Sequence, residues 1–178
     1  QEIAMSAFSY RNGVLHAESV ALPEIARRFG TPCFVYSRAE IEANYRAFTR
    51  ALGRRQGLVC YSVKANSNLA VLALLARLGA GFDIVSGGEL ARLRAIGAEM
   101  RKVVFSGVGK TESEIEQALR ARILCLNLES EDELDRVAAI ASRLKVRAPI
   151  AFRVNPEIDG KTHPYISTAL RSSEVAVP

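Results

Sequence analysis

The stretch Leu58-Val59-Cys60-Tyr61-Ser62-Val63-Lys64-Ala65-Asn66-Ser67-Asn68 decides how this chain is read. An apolar run closes at Ser62, a lysine follows, and a helical pattern of apolar residues runs over 69–78. A second apolar run occupies 81–85. Strand, turn, helix and strand make one βα unit, with Lys64 at the mouth of the first strand. Burying an ammonium is costly unless its pKa falls or it reacts. A lysine held rigidly at a strand end in an α/β protein is well placed to condense with a carbonyl cofactor. The plainer alternative is a solvated lysine at a strand end, since most lysines face water.

The same rhythm continues on the C-terminal side. Apolar runs at 103–105, 123–127 and 150–154 alternate with helical patterns at 89–96, 112–121 and 131–144. Each strand-plus-helix unit takes about twenty to twenty-five residues, the size of a βα unit. Alternating strands and helices imply right-handed crossovers and a parallel sheet. Two closures satisfy that pattern, a doubly wound open sheet and a (β/α)₈ barrel. The first βα turn lacks GxGxxG, which disfavours a dinucleotide fold. Five strands are too few to close a barrel, which takes about 250 residues.

On the N-terminal side, Arg11-Asn12-Gly13 separates two short apolar runs, a hairpin signal. A short helix is predicted over 23–29, with Pro23 near its start and Gly30 past its end. Residues 32–36 read as a strand. Ser37 and Glu40 form a capping box for a helix reaching about Leu52.

Composition bounds the possibilities. The chain has 178 residues, 49% of them hydrophobic and 24% charged, as expected of a globular protein with a real core. No apolar stretch is long enough to span a bilayer, and the first residues lack a signal-peptide pattern, so a cytoplasmic location is expected. The net charge of +5 comes from basic residues scattered along helical segments, which excludes nucleic acid as the expected partner. A modest positive field suits anionic substrates and phosphate cofactors. Cys33, Cys60 and Cys125 each sit in an apolar run. Their odd number and the lack of CxxC indicate reduced, buried thiols and neither a disulfide framework nor a metal site.

Other residues with chemical potential lie just after the strands. Asp83 closes the second strand, facing the same mouth as Lys64 or capping the turn before Ser86-Gly87-Gly88. Glu89 opens a helix, where the dipole favours a carboxylate, and capping is its expected role. Arg153 lies in the fifth strand, where a lone guanidinium would be expensive, so an interior ion pair is one reading. His163 sits in a polar loop between Thr162 and Pro164 and reads in isolation as a surface histidine. Gly87-Gly88 is weak evidence for a phosphate cradle. Gly107-Val108-Gly109-Lys110-Thr111 lacks the spacer of a P-loop, so ATP binding is rejected.

Taken together, several blocks resemble the fold-type III pyridoxal-phosphate decarboxylases, most closely the diaminopimelate decarboxylases. The blocks are Tyr61-Ser62-Val63-Lys64-Ala65-Asn66, Leu78-Gly79-Ala80-Gly81-Phe82-Asp83-Ile84-Val85-Ser86-Gly87-Gly88-Glu89-Leu90, Phe105-Ser106-Gly107-Val108-Gly109-Lys110-Thr111, Asn127-Leu128-Glu129-Ser130, Arg153-Val154-Asn155-Pro156 and Lys161-Thr162-His163-Pro164-Tyr165-Ile166-Ser167-Thr168. Each alone is weak; together they cover the chain from about Phe8 to Leu170. The resemblance implies a partial (β/α)₈ TIM barrel of the alanine racemase-like fold, with about five βα units. Residues 1–30 would join a β-domain absent from this chain, and 31–178 would form the incomplete barrel. It implies pyridoxal 5'-phosphate as cofactor, held as a Schiff base by Lys64. Asp83 would belong to the cofactor pocket and Arg153 to the cofactor's phenolic side, with Asp83 as candidate partner. The loop carrying His163 would lie over the active site.

The implied reaction is decarboxylation of meso-2,6-diaminopimelate to L-lysine and carbon dioxide, by an enzyme expected to be a homodimer at full length. The alternatives are a relative acting on ornithine, arginine or a carboxylated polyamine, and a non-catalytic homologue that binds or regulates. Members of such a family run to about twice this length or more, a full barrel plus a β-domain. This chain is therefore expected to be an N-terminal portion. The ring-stacking histidine, the glycine-rich phosphate loop, the pyridinium glutamate and the cysteine and tyrosine of the substrate site would lie elsewhere. The tail departs from the pattern at Ala169 and again at Glu174-Val175-Ala176-Val177.

Overall fold

The computed structural model describes residues 7–154. The chain divides into two compact units, Gln1–Gly57 and Leu58–Pro178.

The first unit opens with an antiparallel sheet of β1 (Phe8–Arg11), β2 (Val14–Ala17) and β3 (Val20–Ala21). Arg11 pairs with Val14 across a two-residue turn in which Asn12 and Gly13 both take positive φ, 50° and 78°. That is the geometry the Asn-Gly pair favours. The third strand had no sequence signal. Helix α1 (Leu22–Phe29) carries its proline in the first turn and stops at Gly30, whose φ is 80°. Helix α2 (Arg38–Leu52) is capped by Ser37, which accepts from Glu40 N–H at 3.1 Å. The expected return half of that box is not among the bonds of the described residues; instead Glu18 receives Ala39 N–H at 2.9 Å and the Ser37 hydroxyl at 2.7 Å.

Residues 32–36 form no strand. They find no ladder partner among the described residues, and Phe34 is 90% exposed, stacked on Tyr36 with ring centroids 6.5 Å apart. An apolar run makes a strand only where a neighbour can take its hydrogen bonds. Cys33 is consequently exposed rather than buried, whereas Cys60 and Cys125 are half-buried.

The second unit is a five-stranded parallel sheet of β4 (Cys60–Ser62), β5 (Gly81–Ile84), β6 (Val103–Phe105), β7 (Cys125–Leu128) and β8 (Ile150–Phe152). Spatial order follows chain order throughout. A doubly wound sheet would reverse direction at a switch point. Unbroken order is the opening run of a (β/α)₈ barrel, and the unit is a partial barrel. Between the strands lie α3 (Leu69–Arg77), α4 (Gly87–Ala95), α5 (Glu112–Ala121) and α6 (Glu131–Leu144).

Each of these helices starts on a side-chain cap a few residues after a strand. Asn68 accepts from Ala70 N–H, Ser86 from Glu89 N–H and Ser130 from Glu133 N–H. Thr111 and Glu114 form a full capping box. Such caps satisfy orphan donors, stabilise by about 1 kcal/mol each and keep the turns at the carboxyl edge short.

From Phe82 onwards the three central strands, β5 to β7, alternate. Phe82, Ile84, Val103, Phe105, Leu126 and Leu128 are buried, with Leu72, Leu90, Leu93, Ile115 and Val137 of the helices. The residues between them, Asp83, Val104, Ser106, Cys125 and Asn127, are only half-buried. One face of the sheet is therefore a finished core, and the other carries the polar groups.

Candidate functional site

The polar face has its chemistry at the carboxyl edge. The registers pair Ser62 with Asp83, Asp83 with Val104 and Val104 with Cys125. One step further towards the carboxyl edge, Ser106 and Asn127 share the same face by the period of two. They are joined: Ser106 Oγ donates to Asp83 Oδ1 at 2.6 Å, and Asn127 Nδ2 donates to Ser106 Oγ at 2.9 Å. Three strands thus present one hydrogen-bonded polar line.

Lys64 follows β4 within a single 3₁₀ turn, Val63–Ala65, that lies against β5. Val63 is fully buried and anchors that turn, while Lys64 is exposed. Among the described residues its ammonium has no hydrogen-bond acceptor or carboxylate partner. The anticipated cost of burial therefore does not arise in this chain. Beside it, the Ser62 hydroxyl is buried and unpartnered among the described residues. Cys60 lies two residues before Ser62 on that strand, and desolvation, then the charge of Asp83, pushes its thiol pKa up.

Arg153 follows β8 and pairs with Glu129, Nη1 to Oε2 at 3.1 Å, with side chains 41% and 3% exposed. The candidate pairing with Asp83 is not what the structure shows. Asp83 Oδ1 accepts from Ser106, and Glu129 stands next to Arg153 by the register of β7 with β8. Glu89 caps, as expected: its carboxylate receives Val85 N–H at 2.7 Å. Gly87 offers no phosphate cradle, because its N–H already donates to Glu114 Oε1 at 2.7 Å. That bond and the Thr111 groups hold the Glu114 carboxyl below the usual carboxylate range. His163 lies outside the described residues.

Sequence reasoning missed Lys110. Its Nζ donates to Gly107 O at 2.8 Å, Asn127 O at 2.7 Å and Glu133 Oε1 at 2.9 Å. Both charged side chains are almost wholly buried, 1% and 2% exposed. The signal available was the spacing of Lys110 and Glu133 just after two adjacent strands, but charged loop residues ordinarily read as solvated.

The site fits a pyridoxal cofactor on its amine and ring sides. It offers an exposed primary amine after β4, the Asp83 carboxylate on the neighbouring strand β5 and a guanidinium after β8. Among the described residues no group of three or more His, Cys, Asp or Glu could hold a metal, and no helix is long and apolar enough to cross a membrane.

Comparison with known proteins gives a consistent picture. Diaminopimelate decarboxylase of Pseudomonas aeruginosa is 57% identical over 173 residues, and that of Pseudomonas fluorescens 59% over 174. Each match covers 97% of this chain and 42% of the relative, so the chain spans about two fifths of their length. The crystal structure of diaminopimelate decarboxylase from Helicobacter pylori complexed with L-lysine superposes with a TM-score of 0.83 at 44% identity, covering 87% of this chain and 39% of that one. The enzyme from M. jannaschii in co-complex with L-lysine gives 0.86 at 38% identity, covering 96% and 41%. Residues 38–174 match the pyridoxal-binding domain of the pyridoxal-dependent decarboxylases, and the chain belongs to that family.

Proposed function

We propose that this chain supplies the cofactor-holding half of a decarboxylase that converts meso-2,6-diaminopimelate to L-lysine and carbon dioxide. The observation that carries the reading is Lys64, an exposed amine at the carboxyl edge of β4 with no acceptor among the described residues. Such an amine is kept available for a carbonyl, while the sheet around it gives a rigid base. The names of its relatives and the L-lysine bound in two of their structures support the substrate class.

In this reading Lys64 holds pyridoxal 5'-phosphate. The bound cofactor supplies an electron sink for the pair released when carbon dioxide leaves. Asp83, oriented by Ser106, faces the same mouth, and Arg153 contributes positive charge on the cofactor's phenolic side. His163 belongs to a loop that contacts substrate. Residues 1–30 dock with a β-domain, 31–178 form the barrel half, and the full-length enzyme is a cytoplasmic homodimer. Gly87 N–H is already taken by Glu114, so in this reading the phosphate is held by another part of the enzyme.

The test uses the full-length protein. Pyridoxal phosphate is added, the adduct is reduced with borohydride and the labelled peptide is mapped, and carbon dioxide release is measured from diaminopimelate, ornithine and arginine. Label on Lys64 with release from diaminopimelate is expected. Label on a different lysine would sink the role of Lys64, and preferential release from ornithine or arginine would sink the substrate.

A further inference from the structure

The buried charges behind the site form a closed ring. Gly107 N–H donates to Glu129 Oε1 at 2.9 Å, and Glu129 N–H donates to Glu133 Oε2 at 2.8 Å. Glu133 Oε1 accepts from Lys110 Nζ at 2.9 Å, and Lys110 returns to Gly107 O at 2.8 Å. Gly107 has φ of 99°, a conformation in which its N–H and C=O both reach the ring and a side chain would be strained.

Two arms leave this ring on the polar face. The remaining Glu129 oxygen takes Arg153 at 3.1 Å. Lys110 also holds Asn127 O at 2.7 Å, and the Asn127 amide passes through Ser106 to Asp83. A buried ion pair is weak evidence for stability alone, because desolvating two charges offsets their attraction. Here every oxygen of both glutamates is used, and each arm ends on a group assigned to the cofactor. Fully satisfied buried networks rigidify what they touch.

We infer that Glu129 is a positioning residue: it holds the Arg153 guanidinium at the cofactor side, and the Lys110–Glu133 pair holds Glu129. The inference rests on the reading that Arg153 faces the cofactor. Glu129 acts through Arg153 and is not itself a contact of the reacting atoms.

The experiment is a double-mutant cycle in the full-length holoenzyme with Glu129→Gln, Arg153→Gln and the pair. The readouts are the dissociation constant of pyridoxal phosphate and the pH midpoint of its visible absorbance band. R153Q is expected to weaken cofactor binding and move the midpoint. E129Q should do the same to a smaller degree, of the order of tenfold in affinity, as for outer groups that orient a bound partner. The double variant should match R153Q alone, since the second change has nothing left to act through. If R153Q leaves both readouts unmoved, the underlying reading of Arg153 fails. If R153Q acts and E129Q does not, or if the two effects multiply, that reading stands and the positioning role fails. Glu129→Asp keeps the charge and shortens the reach; partial recovery relative to E129Q supports positioning. If neither Glu129 variant folds, as judged by circular dichroism, the residue is structural and the inference is overturned.

Discussion

Lys64 and Lys110 both follow parallel strands at the carboxyl edge of one sheet, Lys64 after β4 and Lys110 after β6. Lys110 is 1% exposed and spends its donors on two carbonyls and a carboxylate. Lys64 is exposed, with no acceptor among the described residues. The difference teaches that burial and availability are separate properties. An ammonium that is buried and fully paired is committed to structure. One on a rigid turn with no partner is available to a carbonyl.

The sharpest way to break this contrast is to remove each charge. Lys110→Met should destabilise by about 3–5 kcal/mol, because Glu133 is left charged, buried and unpaired. Lys64→Met should stay within about 0.5 kcal/mol, as for exposed positions. Urea-unfolding midpoints decide it, and equal losses would show that Lys64 is structural after all. Neutralising both partners sharpens the point. Lys110→Met with Glu133→Leu should regain part of the loss, leaving roughly 1–3 kcal/mol for the unsatisfied Glu129 N–H. A double variant as unstable as K110M would mean that the lost Lys110 bonds to backbone carbonyls dominate.

Smaller effects test the cap that closes the Lys110 loop. Thr111→Ala removes the capping box and should cost about 1 kcal/mol. A loss below 0.3 kcal/mol, about the resolution of such measurements, would mean that Glu114 alone holds the turn. Glu114 gives the acid limb. Its ionised form is stabilised first by Gly87 N–H and then by Thr111, so its native pKa lies below the unfolded value. Its contribution is present above about pH 4.3 and is lost as pH falls through the lower native value. Glu114→Gln should flatten stability in that acid window and leave the pH dependence unchanged above about pH 6, outside the carboxylate range. Last, maleimide should label Cys33 before Cys60 and Cys125. The latter two are half-buried, with thiol pKa values raised chiefly by desolvation. Uniform labelling rates would contradict that burial.

Much of the second unit was legible because its signals are local. Apolar runs alternate with helical patterns, and the helix read over 112–121 is found at Glu112–Ala121. Strand ends differ from the reading by one to two residues, as at Cys60, Ile84 and Phe152. What was not legible depends on neighbours. Residues 32–36 have strand composition but no partner edge among the described residues. Barrel and doubly wound closures share the same local pattern and separate only by spatial order. The resemblance made Asp83 the candidate partner of Arg153, yet Glu129 lies next to Arg153 in register and takes its guanidinium, while Asp83 Oδ1 accepts from Ser106. Ser106 and Asn127 sat in recognised blocks without a role, since only the sheet brings them into line with Asp83.

The unbroken strand order from β4 to β8 has a consequence for synthesis. Every strand after β4 finds a ladder partner in the segment made just before it, one helix away. A nascent chain can add each βα unit to an edge already in place, with no strand waiting for a distant segment. Loop closures stay short and of similar length, which gives this region a low contact order for a parallel sheet and an order of assembly compatible with the direction of translation.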